Sequence, residues 1–140
     1  MPLVRVSVSE SVLPSERAAI AEAIYQAMRA TIDIPEGDKF ILVTPHGPDE
    51  LFFDPHFMGV NRGGAWMLVQ IFLSQGRSVE KKQALYAAIA RGLKDAVGIA
   101  SDDVMIVLTE NSYVDWSFGR GEAQFVLNPP SWVQQATEGK

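Results

Sequence analysis

A chain of 140 residues, 47% apolar and 21% charged, has the length of one domain with a single core and too many apolar residues to stay disordered. Twelve basic against seventeen acidic residues leave a net charge of -5, which argues against a phosphate-backbone binder. The absence of cysteine excludes disulfides, a thiolate nucleophile and zinc-thiolate sites. No apolar run approaches the ~18 residues of a membrane span. The opening MPLVRVSVSE lacks the basic and apolar stretches of a signal peptide. We therefore expect a cytoplasmic protein with neither nucleic acid nor membrane as partner.

The first predicted element is a strand over residues 2–8 (PLVRVSV), apolar and rich in β-branched side chains. A helix follows, entered at Pro14, whose fixed φ suits a first helical turn, with Ile20, Ile24, Ala27 and Met28 on one face. A strand over residues 40–43 comes next. Residues 46–65 hold the turn dipeptides Gly47-Pro48, Asp54-Pro55 and Gly63-Gly64 and are too long for a plain connection. Within them Leu51-Phe52-Phe53 is expected as a short strand or a packed flap. A third strand covers residues 67–73. The second helix is capped by Ser78 and turns Leu85, Ile89, Leu93 and Ala96 inward. A strand over residues 104–108 closes the series. Residues 113–126, aromatic with Gly119 and Gly121, read as a small hairpin stopped by Asn128-Pro129-Pro130, and residues 134–140 as a loose polar tail.

The two halves match at an offset of about 65 residues, Pro2 falling on Met67 and Asp38 on Asp103. The expected organisation is one domain over residues 1–140: a first β-α-β unit near 2–44, a second near 67–109, and a hairpin with tail near 111–140. Two right-handed β-α-β crossovers make an α+β fold, a four-stranded sheet with both helices on one face. The strands are nearly continuous apolar runs, which are normally covered on both sides. Two helices cover one side only, so an oligomer is expected.

Removal of Met1 would turn Pro2 into a free secondary amine able to accept or donate a proton or polarise a carbonyl. Many chains begin Met-Pro without consequence; the placement at a strand end is what favours chemistry here. Asp38 after Gly37, and Asp103 at the equivalent place, read singly as solvated turn carboxylates. Arg77 precedes a helix N-terminus, where a cation and free backbone N–H groups together suit a carboxylate or phosphate; an exposed linker arginine is the equal alternative. Trp116 and Phe118 share one side of an extended segment, and Phe125 can return beside them, although such aromatics more often plug a core edge. Gly119 and Gly121 make no phosphate loop without a strand and helix around them. His46 and His56, with Asp49 and Asp54 between, are too sparse for a metal site; His46 is expected in a local hydrogen bond and His56 at the surface.

Together the MPLVRV opening, the doubled β-α-β unit, the strand-Gly76-Arg77-Ser78 step and the phrase DWSFGRGEAQF resemble the tautomerase superfamily. Within it the chain is most similar to the malonate semialdehyde decarboxylase group, over nearly all of residues 2–125. The resemblance implies a cofactor-free homotrimeric enzyme with a tautomerase-type fold. It places the family's amino-terminal proline on Pro2, its catalytic aspartate on Asp38, its carboxylate-binding arginine on Arg77 and its aromatic wall on Trp116, Phe118 and Phe125. One branch has a second arginine where this chain has Gln75, so Gln75 joins the substrate-contacting positions. The implied reaction is decarboxylation of a small 3-oxo acid such as malonate semialdehyde. The alternatives are a keto-enol tautomerase or hydratase of 2-oxo acids, and a non-enzymatic ferredoxin-like ligand-sensing module, since the order β-α-β-β-α-β is also that topology.

Overall fold

In the computed structural model, which describes residues 1–138, two β-α-β units follow one another. The first comprises β1 (Pro2–Ser9), α1 (Pro14–Thr31) and β2 (Ile41–His46); the second comprises β3 (Met67–Ser74), α2 (Val79–Val97) and β4 (Val104–Asn111). The sheet order is β2-β1-β3-β4. Within each unit the two strands are parallel neighbours, and β1 meets β3 antiparallel, with Pro2 opposite Leu73. A ferredoxin-like sheet would split each pair of strands around a strand of the other unit. These pairs are adjacent, and that topology is excluded.

One core lies between the sheet and both helices. Val4, Val6, Val8, Met67, Val69, Ile71 and Leu73 face Ile20, Ile24, Met28, Leu85, Ile89 and Leu93, all at most 1% exposed. Burying each such side chain contributes roughly 1.5–3 kcal/mol. Ala96, expected inward, is exposed, and Val97 packs against the core instead. At the start of α1 the side chain of Leu13 offers no acceptor; Pro14 removes one orphan donor and the Glu16 Oε1 takes the Leu13 N–H at 3.0 Å. Ser78 caps α2, accepting from the Lys81 N–H at 3.2 Å.

The opposite sheet face is open in the single chain. Leu42, Met105 and Val107 are 53%, 44% and 40% exposed. Two expectations for the outlying segments fail, and a third, a strand or a packed flap at residues 51–53, loses its strand alternative. Leu51-Phe52-Phe53 forms no strand: Phe52 is exposed, while Phe53 stacks on Trp66 with centroids 5.0 Å apart. Residues 113–126 form no hairpin; they begin with a 3-10 turn at Tyr113–Asp115 and end in a one-turn helix, α3 (Gln124–Leu127). The anticipated loose tail is helical through α4 (Ser131–Glu138), which anchors itself by the buried Val133, and Gly139 and Lys140 lie outside the described residues.

Candidate active site

The site forms at the N-terminal end of β1. Parallel pairing of β1 with β2 brings the turn before β2 to the chain start. That turn is made by Gly37 at φ 86°, a left-handed value favouring glycine. Its N–H donates to the Tyr25 hydroxyl at 3.0 Å, which fixes the backbone carrying Asp38. Asp38, its side chain 12% exposed, forms an ion pair and hydrogen bond with the amino group of Met1. Pro2 is the next residue and is buried, paired with Leu73.

Arg77 approaches from the antiparallel neighbour, past the end of β3. It is half-buried rather than an exposed linker, and donates to the Ser74 carbonyl at 2.9 Å. Burial lowers its pKa, opposed by the fields of Tyr113, Asp38, Glu110 and Asp33. Burial is likewise the main cause lowering the Met1 amine below its ordinary value of 8.0; Asp38 opposes it and Arg77 adds to it. Gln75 is exposed, and its backbone N–H is spent on the Asn111 carbonyl at 2.8 Å.

The three sequence-predicted aromatics do converge. Trp116 and Phe118 stack with centroids 5.8 Å apart, and Phe118 meets Phe125 edge-on at 4.9 Å. The Trp116 indole N–H donates to Asn111 Oδ1 at 2.8 Å, locking the ring to the end of β4. Met1 is 4% exposed and buried with Phe125 and Val133, with Tyr113 and Trp116 packed against them. Trp116 also borders an adjoining hollow of about 420 Å³ with Leu3, Phe40, Phe72 and Phe118. An amine, a carboxylate, a guanidinium and an aromatic wall therefore share one end of the sheet.

Some members were missed from sequence. Asn111 supports Trp116. Tyr113 and Trp132 extend the aromatic cluster, with centroids 5.7 Å and 5.4 Å from Phe125. Trp132 lies between the Pro129-Pro130 stop and the tail read as loose, in a stretch to which no element was assigned. The only available signal was the apolar spacing of Trp132-Val133 after Pro130 in the sequence.

Comparison with known proteins identifies similar sequences and folds. Residues 38–119 match a family model described as tautomerase enzyme. The chain is 36% identical over 107 residues to "Probable tautomerase YusQ" of Bacillus subtilis strain 168, covering 76% of this chain and 84% of that protein. It is similar to the structure of FG41 malonate semialdehyde decarboxylase inhibited by 3-bromopropiolate, with TM-score 0.86, 34% identity and coverage of 92% and 98%. A fused 4-OT described as a symmetric trimer shares the fold at TM-score 0.75 and 23% identity, over 90% of this chain and 98% of that one.

Proposed function

The chain belongs to the tautomerase family, and from that premise we propose that it is an amino-terminal-proline enzyme that decarboxylates a small 3-oxo acid such as malonate semialdehyde. The observation that carries this reading is the meeting of the chain's first amine with Asp38 and the neighbouring charge of Arg77 at one strand end. The reading requires removal of Met1. Cleavage frees the Pro2 nitrogen and also empties the space that the Met1 side chain fills beside Phe125 and Trp116. No helix among the described residues is long and apolar enough to cross a membrane, and we place the enzyme in the cytoplasm as a homotrimer built through the open sheet face.

In this mechanism Arg77 holds the substrate carboxylate with the breaking C–C bond perpendicular to the carbonyl plane. The bonding pair flows into the carbonyl, giving an enolate and carbon dioxide. A protonated Pro2 stabilises the enolate oxygen by charge and hydrogen bond, and reprotonation at carbon yields the aldehyde. Trp116, Phe118 and Phe125 exclude water, favouring conversion of a charged carboxylate into neutral carbon dioxide. Asp38 holds the amine as a cation.

One observation favours a second reading, a keto-enol tautomerase of 2-oxo acids. Burial and Arg77 both lower the Met1 amine at the chain's start, and a Pro2 amine lowered in the same way would be a neutral base rather than a cation. Malonate semialdehyde and phenylenolpyruvate offered side by side separate the two. Carbon dioxide release that is lost in Pro2→Ala supports decarboxylation. Enol conversion alone supports the tautomerase, and equal rates in Pro2→Ala would dismiss both.

A further inference from the structure

The carboxylate end of the proposed site is short of donors. Arg77 has its Nη1 committed to the Ser74 carbonyl at 2.9 Å, which leaves the Nε and Nη2 side of the fork for a ligand. A carboxylate offers about four lone-pair positions, and those left unpaired in a water-poor pocket cost free energy. Of the next cations along the chain, Lys81 pairs with Asp33 and Lys82 with Glu110. Gln75 is exposed. Arg77 therefore meets a carboxylate without a second cation from these positions.

Tyr113 stands where a further donor is needed. The Gln75 N–H donates to the Asn111 carbonyl at 2.8 Å, a last rung between the parallel strands β3 and β4. From that rung Gln75-Gly76-Arg77 and Asn111-Ser112-Tyr113 leave the sheet in step, at the same end. The turn carrying Tyr113 is fixed by the Ser112 N–H, which donates to Asp115 Oδ2 at 2.8 Å, and by the Asp115 N–H, which returns to the Ser112 carbonyl at 3.1 Å. The Tyr113 ring lies edge-on to Phe125 and Trp132, with centroids 5.7 Å and 6.1 Å away, and packs against the buried cluster of Met1, Phe125 and Val133. Its hydroxyl makes no hydrogen bond among the described residues. Burial lowers the Arg77 pKa, and Tyr113 opposes that more than Asp38 does, as fits an oxygen close to the guanidinium.

We propose that Tyr113 is a further substrate-binding residue, its hydroxyl donating to the carboxylate that Arg77 holds once Met1 has been removed. The proposal rests on the reading of Arg77 as the carboxylate holder. With Met1 gone, the Tyr113 ring borders the vacated space beside Phe125, and its O–H is free to turn toward a bound anion. A hydrogen bond to this group has a particular kinetic consequence. Decarboxylation drains charge from the carboxylate as the C–C bond breaks, so the bond from Tyr113 is stronger in the bound substrate than in the transition state. It secures the acid in the site without speeding the chemical step, and its loss shows in KM rather than in kcat.

The test uses protein whose intact mass lacks Met1. It is titrated with 3-hydroxypropanoate, a carboxylate of the substrate's length that cannot decarboxylate, and with 1,3-propanediol, its uncharged analogue. Binding is followed by the Trp116 indole N–H resonance, assigned with Trp116→Phe. The parent should bind the carboxylate saturably. Tyr113→Phe keeps the ring against Phe125 and Trp132 and should weaken that binding about tenfold, with the response to the diol unchanged. On malonate semialdehyde the same variant should raise KM by a similar factor while kcat holds. A parent that does not bind the carboxylate, a Tyr113→Phe protein of parental affinity, or a variant whose kcat falls at unchanged KM overturns the proposal. Carbon dioxide release with parental affinity in Tyr113→Phe removes this role and leaves the decarboxylase reading standing. Carboxylate binding that depends on Tyr113 in a protein releasing no carbon dioxide supports the role and removes that reading.

Discussion

At the residue scale, the Met1 amine experiences burial against its charge and an ion pair in favour of it, with burial the larger. Its pKa is lower in the folded chain than the 8.0 of an unconstrained terminus, so between those two values the unfolded state binds more protons. Stability must therefore rise with pH through that window and level off above 8.0. Urea titrations from about pH 6 to about pH 9 on protein whose intact mass includes Met1 will show this rise. Asp38→Asn, which removes the ion pair, will move its start to lower pH; a fall in stability over that range would contradict the assignment. Arg77 is judged by a different balance. It donates to Ser74 and also faces the amine, so Arg77→Ala removes both a structural bond and the proposed carboxylate clamp. A charge-assisted hydrogen bond contributes about 1.5–3 kcal/mol, and the expected loss in kcat/KM on the 3-oxo acid is about 10- to 100-fold. The thermal midpoint should fall by only a few degrees. Unchanged kcat/KM with extensive unfolding would assign Arg77 to structure.

At the scale of elements, the crossing of α1 and α2 turns on Gly92. A Cβ there would stand 3.6 Å from the Ala23 Cβ and 3.7 Å from its carbonyl oxygen, ordinary contact distances. Glycine inside a helix costs roughly 0.5–1 kcal/mol relative to alanine. Gly92→Ala should raise the thermal midpoint, and Gly92→Leu should lower it by forcing the helices apart. Scanning calorimetry of the two variants decides it. The same packing explains which elements were legible in sequence. The two main helices and four strands carry long apolar patterns because each buries a face against the shared core. Asp38 and Arg77 were reachable only through the family resemblance, since read singly one is a solvated turn carboxylate and the other as readily an exposed linker arginine. The segment from Tyr113 to Leu127 is held by aromatic contacts, such as Tyr113 with Phe125, and by side chains bonding to backbone, such as Gln124 to Gly119. Such tertiary contacts leave no period, and two glycines in a short stretch imitate a hairpin turn. α4 escaped for the same reason, with Val133 as its buried apolar residue among the described side chains.

At the scale of the whole molecule, the sheet poses an unresolved demand in the single chain. The buried face alternates along β3 from Met67 to Leu73, yet the opposite face shows Leu42, Met105 and Val107 to solvent, and Phe52 and Phe57 flank it at 83% and 66% exposure. An apolar patch on a four-stranded sheet with no helix over it is the signature of an interface rather than of a free surface. The proposed homotrimer satisfies that demand by turning the open faces of three sheets toward one axis, which covers each without new secondary structure. It predicts a sedimentation mass at micromolar concentration of about three times the 15.4 kDa chain. Val107→Asp places a charge at the middle of β4 on the open face, where a single chain tolerates it and an apolar interface does not. The variant should sediment as the monomer while keeping the helical circular dichroism of the parent, because Val107 contributes nothing to the core beneath α1 and α2. A parent protein that sediments as a monomer, or a Val107→Asp trimer indistinguishable from the parent, would mean that the open face is solvated and that the interface lies elsewhere.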